Sequence, residues 1–111
     1  MSEQKDYLGH FEEIVLLGVL KLGSDAYGAK IRQLVSEATE RDISIGAIYA
    51  TLERLERKGY VGSWQGEATP ERGGRAKRYF KVEGAGVLAL SNTNAARSRL
   101  TAGLDLGFNL G

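Results

Sequence analysis

The spacing of apolar residues changes from helical to alternating at Gly59. Before Gly59, apolar residues recur at helical spacing; after it, over 60–64 and 76–82, they alternate as in half-buried strands. The segment 65–75 between these two stretches contains glycines and the single proline. The change predicts helices followed by a β-hairpin, in a chain whose 111 residues have room for one domain.

Residues 8–22 are apolar on nearly every face of a helix, which Gly23 would end. A helix of that kind is buried on more than one side. A domain this small cannot cover all of it, so a second subunit is expected to cover the rest.

Two further helices follow before Gly59. Ser24 or Asp25 is expected to cap the first of them, and Ser44 the second. On the later helix the inward stripe is predicted to be Ile45, Ile48, Leu52 and Leu55. The outward row is predicted to be Ala47, Ala50, Thr51, Arg54 and Lys58.

A last helix is predicted from Gly86 to about Gly103, with small and apolar residues on one side. The order helix, helix, turn, helix, strand, loop, strand, helix predicts a mainly α winged helix-turn-helix with a small β-hairpin as its wing. The expected boundaries are a tail over 1–7, the winged domain over 8–82, a dimerisation helix over 83–103 and a flexible tail over 104–111.

The formal net charge is only +1, but it is unevenly distributed. Residues 1–40 hold four basic and seven acidic side chains, whereas residues 41–82 hold nine basic and five acidic ones. The stretch 72–82 has five basic residues and no acid. Such a run suits phosphate binding, although a solvated hairpin would have the same composition.

Three motifs resemble the PadR family of bacterial transcriptional regulators. They are Tyr27-Gly28, GAIYATLERLERKGYV over 46–61 and ERGGRAKRYFKVEGAG over 71–86. The resemblance covers about residues 8–103. One departure is Glu83, where the family usually has a threonine that caps the last helix.

The resemblance implies a homodimer that binds a palindromic double-stranded DNA operator through two recognition helices and two wings. It also implies repression of a neighbouring gene, with release by a small hydrophobic or aromatic effector left open. Small residues at the start of the third helix would let its backbone approach the bases. Tyr49 could either pack in the core or contact a phosphate. The expected DNA contacts are Tyr27, Ser44, Gly46, Ala47, Tyr49, Thr51, Arg54, Arg75, Lys77 and Tyr79.

The expected dimer contacts lie on the first and last helices. They are Phe11, Ile14, Val15, Leu88, Ala89, Asn92, Ala96 and Leu100. Some of them could line a pore for an effector at the dimer interface, or they could pack against one another and leave no pore. A closed interface would favour a repressor without an effector, and a lack of salt-dependent DNA affinity would favour a protein-interaction module.

No enzyme, metal or cofactor is expected. The chain has no cysteine, and the single histidine, His10, has only Glu13 one turn away, which is too few ligands for a metal. Neither a nucleophile elbow nor a P-loop is present. No apolar run approaches the roughly 20 residues that span a bilayer, and no secretory leader is seen. A cytoplasmic location is therefore expected.

Overall fold

The computed structural model describes residues 7–66 and 76–107. The helices are α1 (His10–Leu22), α2 (Gly28–Thr39), α3 (Ile45–Arg57) and α4 (Gly84–Thr101), with one 3₁₀ turn (Gly23–Asp25). The strands β1 (Val61–Gln65) and β2 (Arg78–Val82) form an antiparallel hairpin. This order confirms the predicted winged helix-turn-helix. The predicted wing tip, with Arg72 and Arg75, lies outside the described residues, as does the predicted tail beyond Gly107.

The core lies where α1, α2 and α3 pack against one face of the hairpin. Phe80 of β2 is 1% exposed, and Leu16 of α1, Ile31 of α2 and Leu52 of α3 are completely buried around it. Burying side chains of this size stabilises the fold by about 1.5–3 kcal/mol each. Phe80 is an inward-facing residue of the half-buried strand that the alternation over 76–82 predicts.

The buried face of α3 is rotated relative to the prediction. Ile48, Leu52 and Leu55 are inward as predicted, but Ile45 is 43% exposed and Thr51 only 2%. Ile45 lines an open hollow together with Ala29 of α2 and is left uncovered there. Thr51 lies at the edge of the inward arc, beside Leu55, and the core extends over it.

The segment before α2 is held against the hairpin. The Phe80 N–H donates to the Ala26 carbonyl over 2.8 Å, and Tyr27 forms an isolated antiparallel bridge with Tyr79. Tyr27 is therefore extended and is the N-cap residue of α2, without a side-chain cap. The predicted cap from Ser24 or Asp25 is wrong, because those residues form the 3₁₀ turn instead.

Three contacts attach α4 to the rest of the chain. Gly86 packs against the Tyr60 carbonyl, so closely that a Cβ would collide with it. The Leu8 N–H donates to Thr93 Oγ1 over 3.0 Å, and Arg97 of α4 lies 2.7 Å from a Glu13 oxygen. Glu83 is the N-cap residue of α4, but its side chain makes no cap hydrogen bond. Among the described residues, no helix is long and apolar enough to cross a membrane.

Candidate nucleic-acid interface

The turn between α2 and α3 is held by side chains, which fixes the direction of α3. Glu40 ends α2 in the left-handed conformation, at φ 55°. Arg32 Nε donates to the Ile43 carbonyl over 2.8 Å, and the Ile43 N–H donates to Ser36 Oγ over 3.2 Å. Ser44 Oγ then accepts from the Ala47 N–H over 3.0 Å, as the predicted cap requires. A helix fixed in this way presents its exposed face in one direction.

The N-terminal half of α3 presents small residues to solvent. Ser44, Gly46, Ala47 and Ala50 are all exposed. Ile45 is the one long exposed side chain in this half, on the side of Ala29, and a DNA groove could approach the helix backbone beside the four small residues. The structure thus brings Ser44, Gly46 and Ala47 together on one accessible surface.

Thr51 does not share that surface. It is 2% exposed, and its hydroxyl lies 3.3 Å from an Arg54 guanidinium nitrogen. A side chain buried in this way cannot contact a base edge, so the predicted DNA contact of Thr51 is wrong in this conformation. Arg54 remains accessible, with 45% of its side chain exposed.

Tyr49 packs its ring against the core and extends its hydroxyl to the start of α2. Its ring centroid lies 6.4 Å from that of Phe80, so one side of the ring packs against the core. Its hydroxyl lies over Gly28, where an added Cβ would collide with it. The Tyr-Gly motif therefore has a physical reason: residue 28 must be glycine for Tyr49 to extend its hydroxyl to the start of α2.

Lys77 and three rings form a ladder at the base of the wing. The Lys77 ammonium lies 3.6 Å from the Tyr27 ring centroid, in a cation–π contact. Tyr79 meets Tyr27 edge to face at 5.6 Å, and Trp64 stacks on Tyr79 at 5.7 Å. The structure thus brings the predicted residues Tyr27, Lys77 and Tyr79 together. Trp64 was not among the expected DNA contacts. The strand register, which pairs Trp64 with Tyr79, is the signal that could have placed it beside them.

A hollow of about 410 Å³ lies between this ladder and α3. Its lining residues are Tyr27, Gly28, Ala29, Tyr49, Gln65, Ala76, Lys77 and Arg78. The first turn of α2 lies at its wall, and the backbone N–H groups of a first helical turn have no partner within the helix. A helix N-terminus together with a lysine ammonium and a tyrosine hydroxyl favours an anion the size of a phosphate.

Carboxylates of the chain itself pair with several of the basic residues on this side. Glu12 of α1 lies 2.9 Å from Lys58 Nζ and 3.7 Å from Arg54 Nε. Glu56 forms an ion pair with Arg78, and Ser63 accepts a hydrogen bond from the same guanidinium. Within the described residues, no such carboxylate pairs with Lys77.

The pKa of Glu12 reflects this environment. Burial opposes its ionisation, but hydrogen bonds from the Lys58 ammonium and the Gly9 N–H, with the charges of Lys58 and Arg54, outweigh burial. The pKa of this carboxyl therefore lies below its ordinary value, and Glu12 is charged at neutral pH.

The predicted dimer residues fall into two groups. Val15 is completely buried and Ala89 is 2% exposed, so both belong to the core of their own chain and have no surface left for a partner. Leu88 and Leu100 are 61% and 79% exposed, and both lie on α4. The remaining four are partly buried: Phe11, Ile14, Asn92 and Ala96. These six residues stay candidates for a dimer contact.

Metal ligands do not cluster in the described part of the chain, where no group of three or more His, Cys, Asp or Glu side chains could hold an ion. The interface instead offers exposed backbone, aromatic rings and cations. That combination is typical of a nucleic-acid contact.

The chain is similar to known regulators in sequence and in fold. The model of the transcriptional regulator PadR-like family matches residues 16–92. A protein of Lysinibacillus sphaericus with no assigned function is 32% identical over 85 residues, which cover 75% of this chain and 73% of that one.

Two solved structures share the fold. A PadR-like transcription factor from Bacteroides fragilis superposes with a TM-score of 0.67 at 26% identity, covering 82% of each chain. A PadR family regulator from Clostridium difficile superposes with a TM-score of 0.61 at 21% identity, covering 81% of this chain and 88% of that one. The family consists of transcriptional regulators and not of enzymes. With 77 consecutive residues, 16–92, matched by the family model, this chain belongs to the PadR-like family of transcriptional regulators.

Proposed function

We propose that this regulator is a repressor that binds a palindromic operator as a homodimer, with α3 as its recognition helix. One observation carries the proposal: the exposed row of small residues on α3 lies next to the hollow formed by Tyr27, Tyr49 and Lys77. An α-helix fits the major groove, and a cationic hollow beside it fits the adjoining phosphate.

The contacts divide into two classes. Ser44, Gly46 and Ala47 would lie closest to the bases, because the N-terminal half of α3 is uncovered. Lys77 and Tyr79 on the wing, with Tyr27 and the Tyr49 hydroxyl, would bind the sugar-phosphate backbone. The first class supplies specificity and the second supplies position and most of the affinity.

The homodimer is supported by the apolar surface of α4. Leu88 and Leu100 are largely exposed, and two-fold pairing of α4 and α1 would cover them. A two-fold dimer would place two copies of α3 on successive major grooves, about 34–36 Å apart, which corresponds to a palindromic site. Because the target is operator DNA, we place the protein in the cytoplasm.

An effector is the open part of this proposal. An apolar groove of about 460 Å³ runs between α1 and α2, with Ile14, Leu17 and Leu34 in its lining. This volume is in the range of small-molecule sites, but α4 does not line the groove as the predicted pore would require. Repression without an effector is therefore the alternative. Loss of operator binding on addition of aromatic compounds would separate the two.

The test is a selection of DNA from a random pool, followed by one variant. Ala47→Glu places a carboxylate in the middle of the exposed row, where it would meet DNA phosphates and hold the helix away. We expect the variant to lose the selected operator while keeping its circular dichroism spectrum and its sedimentation coefficient. Unchanged operator affinity would rule out α3 as the recognition helix. A parent protein with no salt-dependent DNA affinity would favour an interaction module instead.

A further inference from the structure

Glu12 is a nearly buried carboxylate that faces the recognition helix from α1. It is 8% exposed, and three groups surround it. Lys58 Nζ lies 2.9 Å and 3.3 Å from its two oxygens, Arg54 Nε lies 3.7 Å away, and the Gly9 N–H donates to it over 3.1 Å. A carboxylate with this many donors is fixed in place.

The two cations that Glu12 holds stand on the exposed row of α3. Ala47, Ala50, Arg54 and Lys58 follow one another three or four residues apart, so they lie along one side of the helix. Arg54 and Lys58 are the C-terminal continuation of the row that we assign to DNA. About 45% of each of their side chains remains exposed.

An ion pair within the protein competes with a phosphate for the same cation. For Arg54 or Lys58 to bind a phosphate, its ion pair with Glu12 must first break. Breaking it leaves a nearly buried carboxylate with fewer hydrogen-bond donors around it. If the cation stays paired, the carboxylate charge remains close to the DNA and cancels part of the attraction. Lys77 forms no ion pair with a carboxylate of the described residues and lies over the Tyr27 ring instead.

We propose that Glu12 is a positioning residue that limits the sequence-independent DNA affinity by holding Arg54 and Lys58 away from the phosphates. This rests on the proposed function of α3. Cations contribute to non-specific affinity in proportion to the counterions that they displace from DNA. Arg54 and Lys58, which are paired with one carboxylate, therefore contribute less to this affinity than two unpaired cations would. The exposed small residues at the other end of the row are left to contact bases.

The chain offers a matched control at the next position. Glu13 has the same 8% exposure as Glu12 and is also ion-paired, with Arg97 at 2.7 Å. Arg97 lies on α4, which is not part of the proposed DNA surface. Glu12→Gln and Glu13→Gln therefore make the same change in net charge and in chemistry, but only the first releases cations on α3.

The experiment measures binding to a fluorescein-labelled random-sequence duplex by anisotropy, over a series of salt concentrations. For Glu12→Gln we expect the slope of log affinity against log salt to steepen by about 0.9 unit per protomer, since removing one carboxylate charge leaves one more cationic charge free to displace counterions. The affinity gain over the parent should shrink about 3.5-fold per protomer between about 50 and 200 mM salt. Glu13→Gln should leave the slope of the parent unchanged.

A second pair of variants keeps the test valid if Glu12→Gln unfolds. In the parent, replacing Lys58 by Gln should change the slope by less than about half a unit per protomer, because its charge is already paired with Glu12 at 2.9 Å, whereas Lys77→Gln should reduce it by about 0.9 unit per protomer.

Three outcomes would overturn the proposal. Equal slopes for Glu12→Gln and Glu13→Gln would overturn it, as would a loss of about 0.9 unit per protomer on replacing Lys58; both leave the DNA-binding function standing. A parent with no salt-dependent affinity for the duplex would overturn the proposed function together with this inference.

Discussion

Replacing Lys77 by Gln should weaken binding to all DNA sequences alike. The Lys77 ammonium lies over the Tyr27 ring, at the mouth of the hollow beside α2. Arg78 at the next position pairs with Glu56. No carboxylate of the described residues pairs with Lys77. A phosphate in the hollow would therefore meet a full positive charge, and glutamine would remove it while keeping a hydrogen-bond donor.

The size of the effect follows from counterion release. One phosphate contact contributes about 0.9 to the slope of log affinity against log salt, so a homodimer that loses two should lose about 1.8. Over a fourfold change in salt this amounts to about 3.5-fold in relative affinity per protomer. The assay is a salt titration of the selected operator and of a random duplex with the same length.

Lys21→Gln provides the control for net charge. Lys21 lies at the end of α1 and lines the α1–α2 groove, away from the hollow, so its loss should leave the slope unchanged. If Lys77→Gln reduces affinity at one base position of the operator only, Lys77 contacts a base and not the backbone. If it matches Lys21→Gln, the hollow does not hold a phosphate.

Three further outcomes are expected. Gly28→Ala should lower the free energy of unfolding by about 1–3 kcal/mol in urea titrations, because the added Cβ would collide with Tyr49. The control is Gly46→Ala, which should be neutral or stabilising, because there is open space around residue 46. Because the pKa of Glu12 is lowered in the fold, its ion pairs should add to the free energy of unfolding above the ordinary pKa of 4.5. This contribution should be lost as the pH falls through the lower folded-state pKa. If the free energy of unfolding of Glu12→Gln has the same pH dependence as that of the parent, this expectation is wrong. Leu88→Asp should raise the dimer dissociation constant in sedimentation experiments without reducing helix content, because Leu88 is 61% exposed on one chain; an unchanged constant would exclude it from the interface.

The fold could be predicted from the sequence because its signals are local. Helical spacing before Gly59 and alternation after it gave the element order, and Ser44 and Gly59 marked both ends of the recognition helix. The capping of α2 could not be predicted in the same way. Whether Ser24 or Tyr27 precedes the helix depends on β2, which pairs with Tyr27 from 52 residues further along the chain.

The errors on α3 arise from tertiary packing that a helical wheel does not contain. Ile45 lies within the apolar arc but is 43% exposed, on an open hollow that it shares with Ala29 of α2. Thr51 lies at the edge of the same arc, and the core extends over it. The wheel gives the angle of a residue around the helix, whereas burial also depends on where the neighbouring elements end. A polar residue at the edge of an apolar arc is therefore a weak candidate for a DNA contact.

The charge count shows a related difference between sequence and structure. Residues 41–82 are basic overall, which suggested a positive surface available to DNA. In the fold, Glu12, from the acidic first part of the chain, pairs with Lys58 across 46 residues, and Glu56 pairs with Arg78. Ion pairs between distant segments have no periodic signal in the sequence. The charge available to DNA is consequently smaller than the segment sum, and within the described residues the Lys77 ammonium lies where the aromatic ladder meets the first turn of α2.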